Sequence, residues 1–272
     1  MKVWVVIFWM LSALGAVSQE VSVMTYNLRL DAASDGADNW HHRKAEFAAY
    51  ILEKNLDFLG VQEALLHQTL YLDTLLKDYD YIGVGRDDGL SAGEFMAIFY
   101  RKPWILLRDT TIWLSDTPGI PSKAQDAGCF RTCTAGLFTN GRDTIKILNT
   151  HFDHIGQNAR ILSVGVIQKQ VQNLWPGFAT LLMGDFNVTP TNPVYSMITQ
   201  NLKDVWKLHN QQEEGTFNSF KRDGEFKDRI DYIFINDQLI SLSCNIDRPL
   251  TKKGRQLSDH FPVISKLKFR DE

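Results

Sequence analysis

Five apolar, β-type runs in this chain meet groups that bind metals or move protons. "VSVMTYN" closes on Asn27, "FLGVQE" on Glu63, "IKILNTH" on His151, and "LLMGDFN" on Asp185 and Asn187. Asp259 and His260 stand in "QLSDHFPV", the loop leading into the last run, after Asp231 in "RIDYIF". One such ending is a turn or a helix cap, because Asp and Asn bond their own backbone. Five, all carrying carboxylate, carboxamide or imidazole, constrain the fold much more: several strand ends must converge on one rim, and such a rim is a site.

The segments between these runs read as helices. "RKAEFAAYILEKN" (43–55) places Phe47, Ala48, Ile51 and Leu52 on one side, and "NARILSVGVIQKQVQNLW" has helical spacing as well. "LLHQTLYLDTLLKDY" and "NPVYSMITQNL", the latter with Pro near its start, complete the set. Strands outnumber helices, and no Pro/Ser/Gly-rich linker divides the 272 residues. The expectation is one α/β domain with two sheets packed face to face and helices outside.

The first residues differ from the rest. "MKVWVVIFWMLSALGAVSQE" has one early cation, Lys2, an uncharged apolar run to Val17, and the small residues Ala16 and Ser18 at its exit. This pattern predicts a signal peptide over residues 1–18, Gln19 as the first mature residue, and a domain over 19–272. The run is short for a membrane anchor. An exported, periplasmic or secreted, monomeric protein with no stable membrane span after cleavage is expected. Three Cys is an odd number for such a chain. Cys129 and Cys133, read as one strand in "CFRTCTAGLF", would lie about 13 Å apart along it, too far for a disulfide. Either could reach Cys244, but buried thiols are the simpler reading.

The converging groups suit phosphoester hydrolysis. A hard divalent cation takes oxygen ligands, which Glu63, Asp185 and Asp259 offer as carboxylates and Asn27 and Asn187 as carboxamides. His151 and Asn187 can donate to the non-bridging oxygens of a phosphoryl transition state. His260 is the natural base for water, and Asp231 or Asp259 can fix its tautomer. The set "MTYN", "VQE", "NTHFDH", "GDFN", "RIDYIF" and "SDHFP", in this order, resembles the Mg²⁺-dependent endonuclease/exonuclease/phosphatase superfamily. The resemblance runs from Asn27 to Pro262 and implies a four-layer α/β/β/α sandwich. It implies Mg²⁺, or Mn²⁺, held by Asn27 and Glu63 with Asp259 nearby. It puts His151 on the scissile phosphate, and gives Asp185 and Asn187 the orientation of water and support of the transition state. Asp231 would pair with His260 as base, and the division of that role between Asp185 and His260 stays open. The string "NTHFDHIGQNAR" is similar to an exported bacterial branch of the superfamily.

Other readings compete. A glycosidase using Asp185 and Asp259 leaves both Asn and the Asp–His pair unexplained, and a non-catalytic binding module would be expected to have lost part of the set. The superfamily acts on nucleic acids, lipid headgroups and small phosphoesters, so a secreted endonuclease is the main alternative to a phosphoesterase for small substrates. The formal net charge is −3, and the basic stretches at 251–255 and 220–229 are short. Both argue against capture of long duplex DNA and favour a small or terminal phosphoester. Substrate choice is assigned to the loops "DAASDGADNW", "GRDDGLSAGEF" and "NSFKRDGEFKDR". Arg101 is a further candidate for phosphate contact. Asp153 and His154 are expected to shape their loop, Arg160 to cap its helix or face solvent, His41, His42 and His67 to lie at the surface, and Tyr26 and Phe186 to pack beneath the site.

Overall fold

The computed structural model describes residues 20–270, with the side chains of 170–172 omitted; the expected leader lies outside these residues. Strands β1 (Glu20–Asn27), β2 (Phe58–Gln62), β3 (Tyr79–Ile82) and β4 (Ile98–Arg101) begin a first sheet. A second sheet takes β5 (Ile105–Trp113), β6 (Thr132–Thr139), β7 (Thr144–His151), β8 (Ala179–Asp185), β9 (Lys203–Asp204) and β10 (Asp231–Ile235). The chain then returns to the first sheet with β11 (Leu239–Ile246) and β12 (Val263–Phe269). Strand orders are β11-β12-β1-β2-β4-β3 and β5-β6-β7-β8-β10-β9.

Each sheet holds one parallel pair made by a crossover helix. Helix α1 (Trp40–Lys54) links β1 to β2, and α3 (Gln157–Asn173) links β7 to β8. A crossover of this kind brings both strands to end at the same edge. Asn27 therefore lies beside Gln62, and His151 beside Asp185. Helix α1 starts where the Asn39 side chain accepts from His41 N and stops at Asn55, which is left-handed at φ 49°. Helices α2 (Leu66–Leu75), α4 (Pro193–Thr199) and α5 (Val205–His209) complete the set, α4 with Pro at its start as read from the sequence.

Three apolar clusters define four layers. Val21, Val23, Ile145, Ile147, Leu181, Met183, Ile233 and Ile235 pack between the sheets. Met24, Tyr26 and Leu59 pack with Phe47 and Ile51 of α1. Leu148, Leu182 and Phe234 pack with Val164 and Ile167 of α3 and Val194 of α4. Because side chains alternate along a strand, the inter-sheet rows can be followed to their ends. Ile145 and Ile147 lead to Asn149 and His151, Leu181 and Met183 to Asp185, Val21 and Val23 to Thr25 and Asn27. The same rows that are apolar in the middle of the sandwich become polar at one end.

A buried polar layer marks the change. Asn149 Nδ2 donates to Val61 O (2.8 Å) and Ala97 O (2.9 Å), crossing from the second sheet to the first. Gln62 Nε2 donates to Asn149 Oδ1 (2.6 Å) and Thr25 Oγ1 (3.0 Å). Gly60 makes room: a Cβ there would sit 2.6 Å from Met183 Cε and 2.9 Å from Asn149 Oδ1.

Three strands and α5 were not legible in the sequence. β5 and β11 lie at sheet edges, where apolar patterning weakens: Ile105 and Leu107 of β5 are exposed, and both strands carry a register shift. β9 has two residues. Part of the "DAASDGADNW" loop is a 3₁₀ turn, Ala33–Asp38. Cys129 lies before β6 rather than in it, and Cys129, Cys133 and Cys244 are all free thiols, the last two buried. Asn149→Ala strips donors from two buried carbonyls and should destabilise the fold by about 2–4 kcal/mol, read as a lower denaturation midpoint at unchanged m-value.

Candidate active site

The polar ends of the inter-sheet rows form one network centred on Asp185. Asn27 Nδ2 donates to Asp185 Oδ2 and to Glu63 Oε1, both at 3.0 Å. The Asp185 Oδ2 atom lies 3.3 Å from His151 Nε2 and 3.8 Å from His260 Nε2. Asn187 N donates to Asp185 Oδ1 (2.9 Å), while Asn187 Nδ2 donates to Phe152 O (3.0 Å) and lies 3.0 Å from His151 Nε2. His260 Nδ1 donates to Asp231 Oδ2 at 2.9 Å. The register explains the meeting: Asp231 opens β10 directly across from Asp185.

Two of these residues hold left-handed backbone that disfavours a side chain, Glu63 at φ 63° and Asn187 at φ 49°. Glu63 follows β2 directly and Asn187 stands two residues past the end of β8, so each turn points its side chain back over the strand end. Gly184 prepares the second turn; a Cβ there would lie 2.0 Å from Thr150 O. Strain gathered at a strand-end rim is a mark of a functional site.

The two imidazoles are pushed in opposite directions. Burial, with Arg131 and Arg86 nearby, drives the His151 pKa well down and keeps the ring neutral. Burial also works against charge on His260, but the Asp231 and Asp185 carboxylates outweigh it and raise its pKa well above the ordinary value. Burial, reinforced by Asp231, pushes Asp185 up to about 7. Asp259 is raised by burial and by Glu63. Glu63 stays low: burial opposes its charge, but Asn27, His260, Leu30 N–H and Arg29 together prevail. Titratable groups split apart in this way are the mark of assigned acid–base roles.

A cleft of about 520 Å³ opens over the network, lined among others by Glu63, His151, Asp185, Asn187, Asp259 and His260. Asn27 and Asp231 lie buried beneath it. The structure thus brings together every site residue predicted from the sequence. Its donor set fits a hard cation. Glu63, Asp185 and Asp259 offer carboxylate oxygens and Asn27 a carboxamide oxygen; burial raises Asp185, with Asp231 adding to it, and raises Asp259, with Glu63 adding to it, and a divalent cation would favour the charged carboxylates. The ligand atoms of Glu63, His151 and Asp185 lie within 4.8 Å of one another, as do those of Asp185, Asp231 and His260. Cys129, Asp153 and His154 are equally close, but their donors are taken: Asp153 accepts from Gly128, Ile155 and Gly156 N–H, and His154 Nδ1 from Arg131 Nη2.

Several readings need amendment. Arg101 does not reach the cleft; it bonds Asp57 Oδ1 and Leu56 O at the other end of the sheet. Arg160 clamps the Asp153 loop through Asp153 O rather than only facing solvent. Asp153 shapes its loop, and Tyr26 and Phe186 are buried packing, as expected. Sequence reading missed Arg29, Glu94, Arg131, Phe217 and Asp228, all in the cleft wall. Arg29, two residues past Asn27 and so on the same face, was detectable. Its guanidinium stands 3.8 Å from both Glu63 Oε2 and Asp259 Oδ2. Glu94 and Asp228 belong to loops already singled out for substrate choice; Arg131 carried no local signal.

Known proteins share this arrangement. Residues 24–260 match the Endonuclease/Exonuclease/phosphatase family, and the chain belongs to that family. It is 35% identical to an endonuclease/exonuclease/phosphatase of Bacteroides vulgatus, over 93% of this chain and 100% of that one, with a TM-score of 0.88. It is also 35% identical to a mannosyl-6-phosphatase of Bacteroides thetaiotaomicron, over 92% and 100%, with a TM-score of 0.85. D. rerio TDP2, solved with a single-strand DNA product, shares the fold at 16% identity, over 92% and 100%, with a TM-score of 0.73. Among curated proteins nothing matches the chain. Family members are hydrolases of phosphoester bonds, and so is this chain.

His260→Ala should lower kcat by at least about a hundredfold. It also strands the buried Asp231 carboxylate, so its thermal midpoint should fall too. The His260→Ala/Asp231→Asn double variant is expected to regain part of that stability and none of the rate, as calorimetry beside steady-state kinetics would read.

Proposed function

We propose that this chain is an exported, Mg²⁺-dependent phosphoesterase that hydrolyses a small phosphoester of the sugar-phosphate kind by in-line attack of water. The observation that carries the reading is the placement of His151 Nε2 (3.3 Å) and His260 Nε2 (3.8 Å) on either side of Asp185 Oδ2, beside the Glu63–Asn27 pair. Glu63, with Asn27 and Asp259 beside it, would hold Mg²⁺ or Mn²⁺, which supplies Lewis-acid stabilisation of charge on the phosphoryl group. Asp231 fixes the His260 ring so that Nε2 faces Asp185. With His260 held by Asp231, the Asp185 carboxylate takes the water's proton, and His260 Nε2–H, 3.8 Å away, supports the charge on the coupled set. Asn187 and neutral His151 offer donors to the non-bridging oxygens without adding charge.

Three features favour a small substrate. The cleft wall carries Glu63, Glu94, Asp228 and Asp259 against Arg29 and Arg131, an unfavourable track for a chain of phosphates. The net charge is negative. The mannosyl-6-phosphatase neighbour matches along its full length at 35% identity, whereas the DNA-bound neighbour shares only the fold. Export rests on the leader pattern of residues 1–18 and is tested by N-terminal sequencing of the protein from periplasm and medium, where Gln19 should lead.

Chelation by EDTA should abolish turnover, and Mg²⁺ or Mn²⁺ should restore it. Glu63→Gln should raise the Mg²⁺ concentration needed by more than about tenfold, the scale seen for disturbing even a supporting ligand. Full activity in EDTA would overturn metal dependence.

Substrate class is read by assaying hexose phosphates, soluble phosphodiesters and phospholipids beside plasmid nicking at low salt. Hydrolysis of the small esters with slow nicking is expected. Efficient nicking with no activity on small esters would make the protein a secreted nuclease instead.

A further inference from the structure

The Gly-rich loop 83–95 leaves the first sheet after β3 and is tightly built. Asp88 Oδ1 accepts from the N–H of Leu90, Ser91 and Ala92. Phe95 N donates to Ala64 O at 2.7 Å, which fixes Glu94 beside Glu63. Trp113 Nε1 donates to Arg86 O (2.7 Å), tying the loop to β5 of the second sheet. Arg131 comes from that second sheet, just ahead of β6. Glu94 and Arg131 thus meet across the cleft, both on rigid supports, and Glu94 Oε2 lies 3.9 Å from His151 Nδ1.

The pair is not satisfied by the protein. Arg131 is only 6% exposed, yet its Nε and Nη1 have no hydrogen-bond partner. The nearest acceptors are Asp153 Oδ2 at 3.5 Å and Glu94 Oε2 at 3.9 Å, and the Asp153 oxygens are already committed to backbone N–H groups. Only Nη2 is engaged, with His154 Nδ1 at 2.9 Å. Glu94 Oε2 accepts from Arg86 Nη1, and no donor among the described residues reaches Glu94 Oε1. Native proteins rarely leave buried guanidinium donors without partners.

We propose that Glu94 and Arg131 form the subsite that reads hydroxyl groups on the alcohol from which phosphate is removed, an inference that rests on the sugar-phosphate reading above. A hydroxyl both donates and accepts, so one polyol can give to Glu94 and take from Arg131. A second phosphate would be drawn to Arg131 but repelled by Glu94 and Glu63. An aryl or alkyl group would leave both residues unpaired. Contact with His151 places the pair directly beside the reacting ester, where the nearest hydroxyls of a sugar phosphate lie.

The test compares a hexose 6-phosphate with p-nitrophenyl phosphate, which has the ester but no hydroxyls, using mature protein and Mg²⁺. Glu94→Gln and Arg131→Met should each lower kcat/KM for the hexose phosphate at least about tenfold, mainly through KM, by losing charged hydrogen bonds. The loss on the aryl ester should be at least about fivefold smaller, the remainder coming from the influence of Arg131 and Glu94 on neighbouring His151, so the ratio of the two kcat/KM values is the readout. Deoxy analogues of the hexose phosphate should lose as much with wild type, and no more with the variants. Glu94→Gln is isosteric, so it carries the test if Arg131→Met does not fold. Equal losses on both substrates would place the pair on the phosphate and overturn the subsite, as would no loss on either. Wild type that cleaves the aryl ester but no hexose phosphate overturns the subsite and the sugar-phosphate assignment and leaves the phosphoesterase reading standing. Wild type that cleaves neither overturns the functional reading beneath it.

Discussion

Asn149 spans the gap between the two sheets, donating to the carbonyls of Val61 in β2 and of Ala97, just ahead of β4, from a position one pleat below His151. Sheet-on-sheet packing through aliphatic side chains alone is tolerant of small slides, because dispersion and burial have little directionality. A carboxamide bonded to two buried carbonyls is not tolerant. It fixes the second sheet's register against the first at the level where Glu63 and Asn27 from one must meet His151 and Asp185 from the other. Geometry above this layer is inherited from it, and Gly60 lacks a side chain so that it can exist.

On that frame the site concentrates carboxylates to a degree the protein alone does not neutralise. Asp185 has Asn27, Asn187, His151 and His260 within 3.8 Å, and its pKa is pushed up to about 7 by burial and Asp231. Arg29 sits between Glu63 and Asp259 but is itself engaged by Asp35. The result is a poised electrostatic state in which a divalent cation, a phosphoryl group and the two imidazoles complete one another's charges.

The sequence was most legible where strands are central. β1, β7 and β8 are buried on both faces, so their runs are long, apolar and end abruptly in Asn27, His151 and Asp185. The order of those endings specified the family and, with it, the four layers. Legibility failed at the edges, where β5 and β11 mix polar with apolar residues because one side is wet. It failed differently for Arg101, whose chemistry suited phosphate but which lies at the opposite end of a strand antiparallel to β2. Residue type is visible in sequence; which end of the sandwich a residue occupies depends on strand direction. Arg131 escaped notice because its partners, Glu94 and His154, are distant in sequence and close only across the cleft.

The strand that closes the first sheet, β12, pairs along its length with β1, the first strand described. The loop that feeds β12 carries Asp259 and His260. One of the three relay residues, His260, therefore arrives with the last tenth of the chain, and it is docked by pairing two segments some 240 residues apart. A nascent chain that lacks β12 lacks the loop bearing Asp259 and His260, however well its earlier strands have collapsed. The complete site therefore requires the two ends of the domain to have paired.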